Sequence, residues 1–250
     1  MIISHKHRYI FIKPFKVAGT SVQINLAKHC GLGDVVPPIG DFSDKWDSNC
    51  YSSKPRNFSG FTNHMAPEDI KKVIDPKIWD SYFKFTIIRN PWDALISEYF
   101  WQLKGPNKYP IIKLKKRLFI NNIFNLEAYF YILKRAPLFL KSKLLGKNMQ
   151  NSFELFIEAL NKSRNNKFYF DSEGKPLCDF YIRYEHLDRD YGNICKRLGI
   201  PYEKLPLTKN KTRNKIKHYS QYYTPKTRDI VARKCALEIK NFAYSFKTES

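Results

Sequence analysis

The segment KVAGTS, which follows a short apolar run, combines residue types that could bind a phosphate-like anion. The run Tyr9–Ile12 predicts a buried strand, and the pattern after it predicts a helix over Thr20–His29. A helix N-terminus attracts anions because its first N–H groups have no partner within the helix and its dipole is positive there. Backbone N–H groups and hydroxyls of the segment would then surround the anion, with a lysine at the strand end. The residues of this predicted site are Lys16, Ala18, Gly19, Thr20 and Ser21.

The lysine of this segment stands three residues before the glycine. In the kinase pattern GxxxxGK[ST], the lysine directly precedes a hydroxyl residue that binds magnesium, and the sequence contains no Gly-Lys-Ser/Thr. From the strand end, the ammonium of Lys16 could reach the bridging oxygen of a ligand whose phosphate is held by the helix. This placement suits stabilisation of a leaving phosphate without a metal, and it disfavours a P-loop kinase.

A second candidate anion site follows the predicted strand Phe83–Ile88. Arg89 stands at the end of that strand, and Ser97 lies on the helix that follows, so that the guanidinium and the hydroxyl could share one anion. An arginine beside a hydroxyl suits a terminal phosphate. The alternative is that Arg89 pairs with a nearby carboxylate such as Asp93.

Three predicted strands are each followed by a helical pattern, which favours an α/β fold with a mostly parallel sheet. The strands are Tyr9–Ile12, Phe83–Ile88 and Cys178–Tyr184, and the helices are Thr20–His29, Trp92–Leu103 and Leu187–Leu198. Ligands of such sheets bind beyond the carboxyl ends of the strands. We therefore expect the loop at Lys16 and the turns at Arg89 and Glu185 to lie along one edge.

The rest of the chain adds no second domain to this prediction. Its 250 residues suffice for one substantial core, and no internal repeat or low-complexity linker divides residues 1–250. Residues 104–150 mix apolar and basic residues, and we interpret them as a helical insertion with lysines facing water. The alternative is a basic amphipathic element that rests on a membrane or covers the cleft. The N-terminal stretch MIISHKHRYIFIKPFK is interpreted as a strand and not as a signal peptide.

Charge and cysteine usage limit the classes of partner. The formal net charge of +21 implies an anionic partner, so a nucleic-acid or membrane-surface binding protein is the alternative function, although a compositional bias towards lysine makes nucleic acid the weaker choice. Five scattered cysteines without a CxxC pair favour reduced thiols and a cytoplasmic location. No apolar run reaches the roughly 20 residues of a membrane span. No cluster has metal-ligand spacing, and we predict no metal.

Four segments in chain order resemble the PAPS-dependent sulfotransferases, in particular their carbohydrate branch. KVAGTS is similar to that family's 5′-phosphosulfate loop, PKTAGTS, and IIRNPWDALISEY to its 3′-phosphate segment, RNPWDRLVSxY. DFYIRYEHLDRDYGNICKRLGIP resembles the family's RxExLxxD…LGxP stretch, and YYTPKTRDIVARKCALEIKNFAYSF resembles its closing segment. The resemblance covers most of the chain apart from residues 104–150 and parts of 32–58. Two departures are Phe15 in place of the usual proline and Glu238 in place of the usual aspartate.

The resemblance implies a P-loop-like αβα fold and transfer of a sulfuryl group from 3′-phosphoadenosine-5′-phosphosulfate (PAPS) to a hydroxyl of a carbohydrate or glycan acceptor. It assigns Arg89 and Ser97 to the 3′-phosphate of the donor. The 5′-phosphosulfate would be bound by Lys16, Gly19, Thr20 and Ser21. Relatives often carry a loop near the donor or acceptor where this chain has the basic stretch with Lys211 and Arg213, for which an exposed charge run is the alternative.

In-line transfer needs a base that takes the proton of the acceptor hydroxyl. His64 precedes a helix predicted to start near Pro67, and a helix N-terminus favours the neutral imidazole that a base requires, whereas nearby phosphosulfate would favour the charged form. The resemblance also places a histidine in this region of many relatives. We interpret His64 as the base, with His186 as the second candidate.

Overall fold

The computed structural model describes residues 1–39, 54–104, 149–206 and 217–248. The chain divides into two compact units. Unit 1 comprises Met1–Asn90 and Arg164–Lys209, and unit 2 comprises Pro91–Ser163 and Asn210–Ser250. The single domain over residues 1–250 stays a prediction. The helical insertion predicted at about 104–150 lies outside the described residues except at its two ends.

Unit 1 contains a four-stranded sheet in the order β1-β2-β3-β4. Its strands are β1 (Ile2–Ser4), β2 (Tyr9–Phe11), β3 (Phe83–Ile88) and β4 (Phe180–Arg183). The strand β1 is antiparallel to β2, whereas β2 with β3 and β3 with β4 are parallel, with Phe11 opposite Phe85 and Phe85 opposite Phe180. This confirms the predicted α/β class with a mostly parallel sheet. The three predicted strands occur, two of them shortened at their ends.

The N-terminal stretch forms two strands and not the single strand that the sequence suggested, and Asp34 secures the turn between them. The Asp34 carboxylate accepts hydrogen bonds from the Ser4 hydroxyl at 2.7 Å and from the backbone N–H groups of His5 at 2.7 Å, Lys6 at 3.1 Å and Gly31 at 2.8 Å. Burial favours a higher pKa for this carboxyl, but the hydrogen bonds outweigh burial and keep its pKa below the ordinary value. The strand β1 therefore adds an antiparallel edge that local hydrophobic pattern does not reveal.

Nine α-helices occur in the described residues, and one of them follows each of the strands β2, β3 and β4. In chain order they are α1 (Gly19–His29), α2 (Pro67–Lys71), α3 (Pro76–Ser81), α4 (Pro91–Lys104), α5 (Met149–Glu158), α6 (Asn166–Tyr169), α7 (Leu187–Leu198), α8 (Pro225–Lys234) and α9 (Ala236–Phe242). The helix α1 is buried over residues 19–27, and its Val22 and Leu26 belong to the same core as Phe11 and Phe85 of the sheet. This burial holds the start of α1 in place at the end of β2.

Unit 2 is helical in its described residues and has an aromatic core. Its α4 and α5 are joined through the ring of Tyr99, which contacts Phe153 edge-on at 5.2 Å between centroids. The helix α8 starts with a capping box, because the Thr224 hydroxyl and the Thr227 hydroxyl each accept from the other residue's backbone N–H. The ring contact between Tyr99 and Phe153 therefore packs α4 against α5.

A buried carboxyl in unit 2 makes its stability depend on pH. Glu238 of α9 is only 4% exposed, and the Ser163 hydroxyl donates a hydrogen bond to it. Burial raises the pKa of Glu238 from 4.5 to about 7, and the Ser163 hydrogen bond opposes this rise only in part. Because the folded state binds the proton more tightly, the stability linked to this group is complete below pH 4.5 and is lost as the pH rises through 7.

We expect Glu238→Gln to remove that loss, since glutamine resembles the protonated carboxyl. The stability of the variant relative to the wild type, measured as the free energy of unfolding, should be greater at pH 8 than at pH 4.5. The increase should be up to about 3 kcal/mol. Urea unfolding of both proteins at the two pH values measures the difference. A parallel pH dependence of the two proteins would show that Glu238 is ionised in the fold at no cost.

Candidate active site

The loop after β2 holds two residues in a strained backbone conformation. Lys16 has a φ of 62° and Ala18 a φ of 63°, in the left-handed region that costs a non-glycine residue roughly 1–2 kcal/mol. Ala18 is the N-cap of α1, so that Gly19 and Thr20 open the helix with N–H groups that have no partner within it. Strain of this kind clusters at ligand-binding sites. The loop therefore has the backbone geometry of an anion site.

The hydroxyl residues at the start of α1 are buried and differ in what their backbone offers. Thr20 is 5% exposed and Ser21 is 7% exposed. The N–H of Ser21 donates to the carbonyl of Ala18 at 3.0 Å, so this N–H belongs to the first turn of the helix. Of the backbone N–H groups of the segment that are expected to face an anion, that of Ser21 is therefore engaged within the chain.

Gly19 is required by a neighbour that the sequence reasoning did not include in the site. A Cβ at Gly19 would lie 2.7 Å from Cγ of Lys13, closer than two carbons can approach. Lys13 is 1% exposed, and its ammonium donates to Gln23 at 2.7 Å and to Asn63 at 3.0 Å. The lysine stem thus passes directly against the glycine and places a buried positive charge in the scaffold of the loop. A lysine inside an apolar run was the available signal for it.

Arg89 connects the end of β3 to the strained loop. Its Nη1 donates to the backbone carbonyl of Lys16 at 2.7 Å, and the guanidinium carbon lies 3.9 Å from the centroid of the Tyr184 ring. The side chain is 8% exposed. A guanidinium held on an aromatic face is fixed in orientation and keeps its charge. The structure therefore brings the guanidinium of Arg89 against the backbone of Lys16 at the carboxyl end of the parallel strands.

The turn after β4 contributes Glu185 to the same edge of the sheet. This residue lies in the 3-10 helix Tyr184–His186 after β4, and its carboxylate accepts from the backbone N–H of Asn90 at 2.7 Å. The contact ties the turn after β3 to the turn after β4. Glu185 therefore supports the backbone that carries Arg89.

His64 lies beside the loop with one ring nitrogen already engaged. Its Nδ1 is 2.9 Å from the carbonyl oxygen of Lys13. Because a carbonyl only accepts, Nδ1 carries a proton, and in the neutral ring Nε2 holds the lone pair. The ring stacks on Phe15 at 4.4 Å between centroids. His64 thus has the tautomer in which Nε2 carries the lone pair that a general base uses.

A model of the sulfotransferase family matches residues 1–245 of the chain. The chain belongs to the sulfotransferase family. This membership makes it a transferase and supports sulfotransfer as its activity. No curated protein and no solved structure matches it.

Two general features of this sulfotransferase-family chain concern ions and membranes. Within the described ranges, no group of three or more histidine, cysteine, aspartate or glutamate residues could hold a metal ion. In the same part of the chain, no helix combines the length and the apolar character needed to cross a membrane.

The other predicted site residues of this sulfotransferase-family chain are Ser97, Lys211 and Arg213, with His186 as the second candidate base. Ser97 lies half-buried in α4 of unit 2, and its role at the 3′-phosphate stays a prediction. Lys211 and Arg213 fall outside the described residues. His186, the second candidate base, is exposed in the 3-10 helix after β4. Among the two histidines, His64 is the one whose contacts join it to the loop.

Proposed function

We propose that the chain transfers a sulfuryl group from PAPS to a hydroxyl of a carbohydrate or glycan acceptor. The observation that carries the proposal is the 2.7 Å hydrogen bond from Arg89 to the Lys16 carbonyl. In PAPS the 3′-phosphate and the 5′-phosphosulfate are attached to the same ribose, so the groups that bind them must lie close together. The loop at Lys16 and the arginine at the end of β3 meet this requirement.

The charge of the cluster suits such a donor. Lys16 and Arg89 supply two positive charges at the loop, and the ammonium of Lys13 adds a third beneath Gly19. A ligand that carries several negative charges is attracted by this arrangement more strongly than a mononucleotide. The opening N–H groups of α1 add hydrogen-bond donors for the 5′-phosphate.

The residues have distinct tasks in the proposed transfer. Nε2 of His64 accepts the proton of the acceptor hydroxyl while its oxygen forms the bond to sulfur. The bond between sulfur and the bridging oxygen breaks at the same time, and the ammonium of Lys16 stabilises the negative charge that develops on that oxygen. The products are the sulfated acceptor and 3′-phosphoadenosine 5′-phosphate (PAP), and the proton remains on His64 until it passes to solvent.

The acceptor class and the location rest on other observations. The resemblance of four segments to the carbohydrate branch supports a glycan hydroxyl as acceptor. Free thiols at the four described cysteines support the cytoplasmic location; these residues are Cys30, Cys178, Cys195 and Cys235. Contact with a membrane surface through residues 104–150 concerns a segment outside the described residues.

The proposal is tested by transfer of labelled sulfate. The purified chain is incubated with [35S]PAPS and a panel of oligosaccharides, lipid-linked glycans, small alcohols and single-stranded DNA. We expect label in one class of glycan, with PAP formed in equal amount. Label only in small alcohols would overturn the glycan acceptor, and salt-sensitive DNA binding without any transfer would favour the nucleic-acid alternative.

A further inference from the structure

The side chain of Asn165 forms two hydrogen bonds with the backbone of Phe15, which is distant from it in the sequence. Its Oδ1 accepts from the Phe15 N–H at 3.0 Å, and its Nδ2 donates to the Phe15 carbonyl at 3.0 Å. Both polar atoms of the amide are used, and only one orientation of the amide satisfies both bonds. Phe15 directly precedes Lys16, so this pair of bonds holds the entry to the strained loop.

This use of an asparagine is unusual for its place in the fold. Asn165 is the N-cap of α6, where an asparagine side chain ordinarily accepts from the N–H groups of its own helix. Here no such side-chain cap forms. The side chain therefore serves the loop of the candidate active site in place of the helix that it begins.

The ring of Phe15, whose backbone these two bonds hold, contacts three side chains. One face of the ring stacks on His64 at 4.4 Å with an angle of 18°, and the guanidinium carbon of Arg164 lies 3.5 Å from the ring centroid. The edge of the ring meets Phe168 at 5.5 Å. A stack on one face and a hydrogen bond from Nδ1 to Lys13 leave the His64 imidazole in one orientation.

We infer that Asn165 is a positioning residue, which acts through Phe15 to set the loop at Lys16 and the tautomer of His64. A proline at position 15 would have no N–H for Asn165 to bond. The contact with Asn165 therefore requires a residue such as Phe15 in place of the proline that is usual in the family. The inference rests on the proposed function for its catalytic meaning, but the geometry it describes is that of the chain alone. Asn165 itself touches neither Lys16 nor His64 in these contacts.

Two variants and one matched control test the inference. Asn165→Ala removes both bonds to Phe15, and Asn165→Asp keeps the acceptor but loses the donor. Asn166→Ala is the control, because it removes the neighbouring amide, whose buried Oδ1 has no hydrogen-bond partner among the described residues. Each protein is labelled with 15N-histidine, and the imidazole nitrogen shifts of His64 are assigned by their loss in a His64→Asn variant. Affinity for PAP is measured by calorimetry on the same samples.

We expect the wild type and the control to show the Nδ1–H tautomer of His64. Asn165→Ala should give a mixture of the two tautomers and about a tenfold loss of PAP affinity, with Asn165→Asp between the two. Unchanged shifts in both Asn165 variants would overturn the inference, including the case in which PAP affinity falls alone. Failure of the wild type to bind PAP would contradict the proposed function and leave the tautomer comparison valid.

Discussion

Lys16→Ala lowers turnover about 100- to 1000-fold while PAP still binds measurably. In the proposed mechanism the ammonium stabilises charge only as the bond from sulfur to the bridging oxygen breaks, and loss of such a contact commonly costs this factor. Under the same proposal, Arg89 and the N-terminus of α1 still bind the phosphates of PAP in this variant. The measurement is the turnover number with labelled PAPS and the acceptor identified by the transfer assay, together with calorimetry of PAP.

A further variant separates the effect of the Lys16 charge from that of its backbone conformation, and a second serves as its control. Lys16→Gly removes the same charge and relieves the left-handed φ of 62°, so it should be as inactive as Lys16→Ala but more stable to heat. Lys72→Ala is the matched control, because that lysine is exposed at the C-cap of α2 and forms an ion pair with Asp69 of the same helix. Normal turnover in Lys16→Ala would contradict the assigned role of the ammonium.

His64→Asn lowers kcat about 100- to 10,000-fold, the range expected for loss of a general base. Asparagine can still donate a hydrogen bond to the Lys13 carbonyl, as Nδ1 of His64 does at 2.9 Å, but it cannot accept the proton of the acceptor hydroxyl. The affinity for PAP therefore stays within about twofold of the wild type. The acid limb of the pH–rate profile, which reports protonation of the base, should disappear.

His186→Asn serves as the comparison for this prediction. His186 is exposed after β4, and its replacement should leave kcat and the pH profile unchanged. A large loss of kcat in His186→Asn with little effect in His64→Asn would transfer the role of base to His186. A parallel loss of PAP affinity in His64→Asn would instead make His64 a ligand-contact residue.

The sequence predicted those parts of the fold that local pattern encodes. The strand Phe83–Ile88 and the helix Leu187–Leu198 occur with the expected bounds, because a continuous apolar run and a helical period are visible within one segment. The edge strand β1 was not predicted as a separate strand. The turn that divides it from β2 is held by Asp34, which follows α1 in the sequence. Long-range hydrogen bonds of that kind leave no local pattern.

The same limit applies to the site. The motif residues Lys16 and Arg89 could be chosen from strand ends and residue type, but the bond between Arg89 and the Lys16 carbonyl joins positions that sequence order separates widely. Asn165 lies 150 positions from Phe15, and its own surroundings predict an ordinary helix cap. Lys13 supports the loop because its side chain is buried and packs against Gly19. Tertiary contacts, and not residue types, assign these residues.

We propose that this edge of the sheet binds a nucleotide with both 5′- and 3′-phosphate groups. Calorimetric titration of PAP and of 5′-AMP into the wild type, Arg89→Ala and Arg89→Lys tests it most directly. We predict that the wild type binds PAP at least about 100-fold more tightly than 5′-AMP, that Arg89→Ala loses most of this preference, and that Arg89→Lys recovers only part of it because lysine lacks the bidentate fork. Equal affinity of the wild type for PAP and 5′-AMP, or an undiminished preference in Arg89→Ala, would contradict the account.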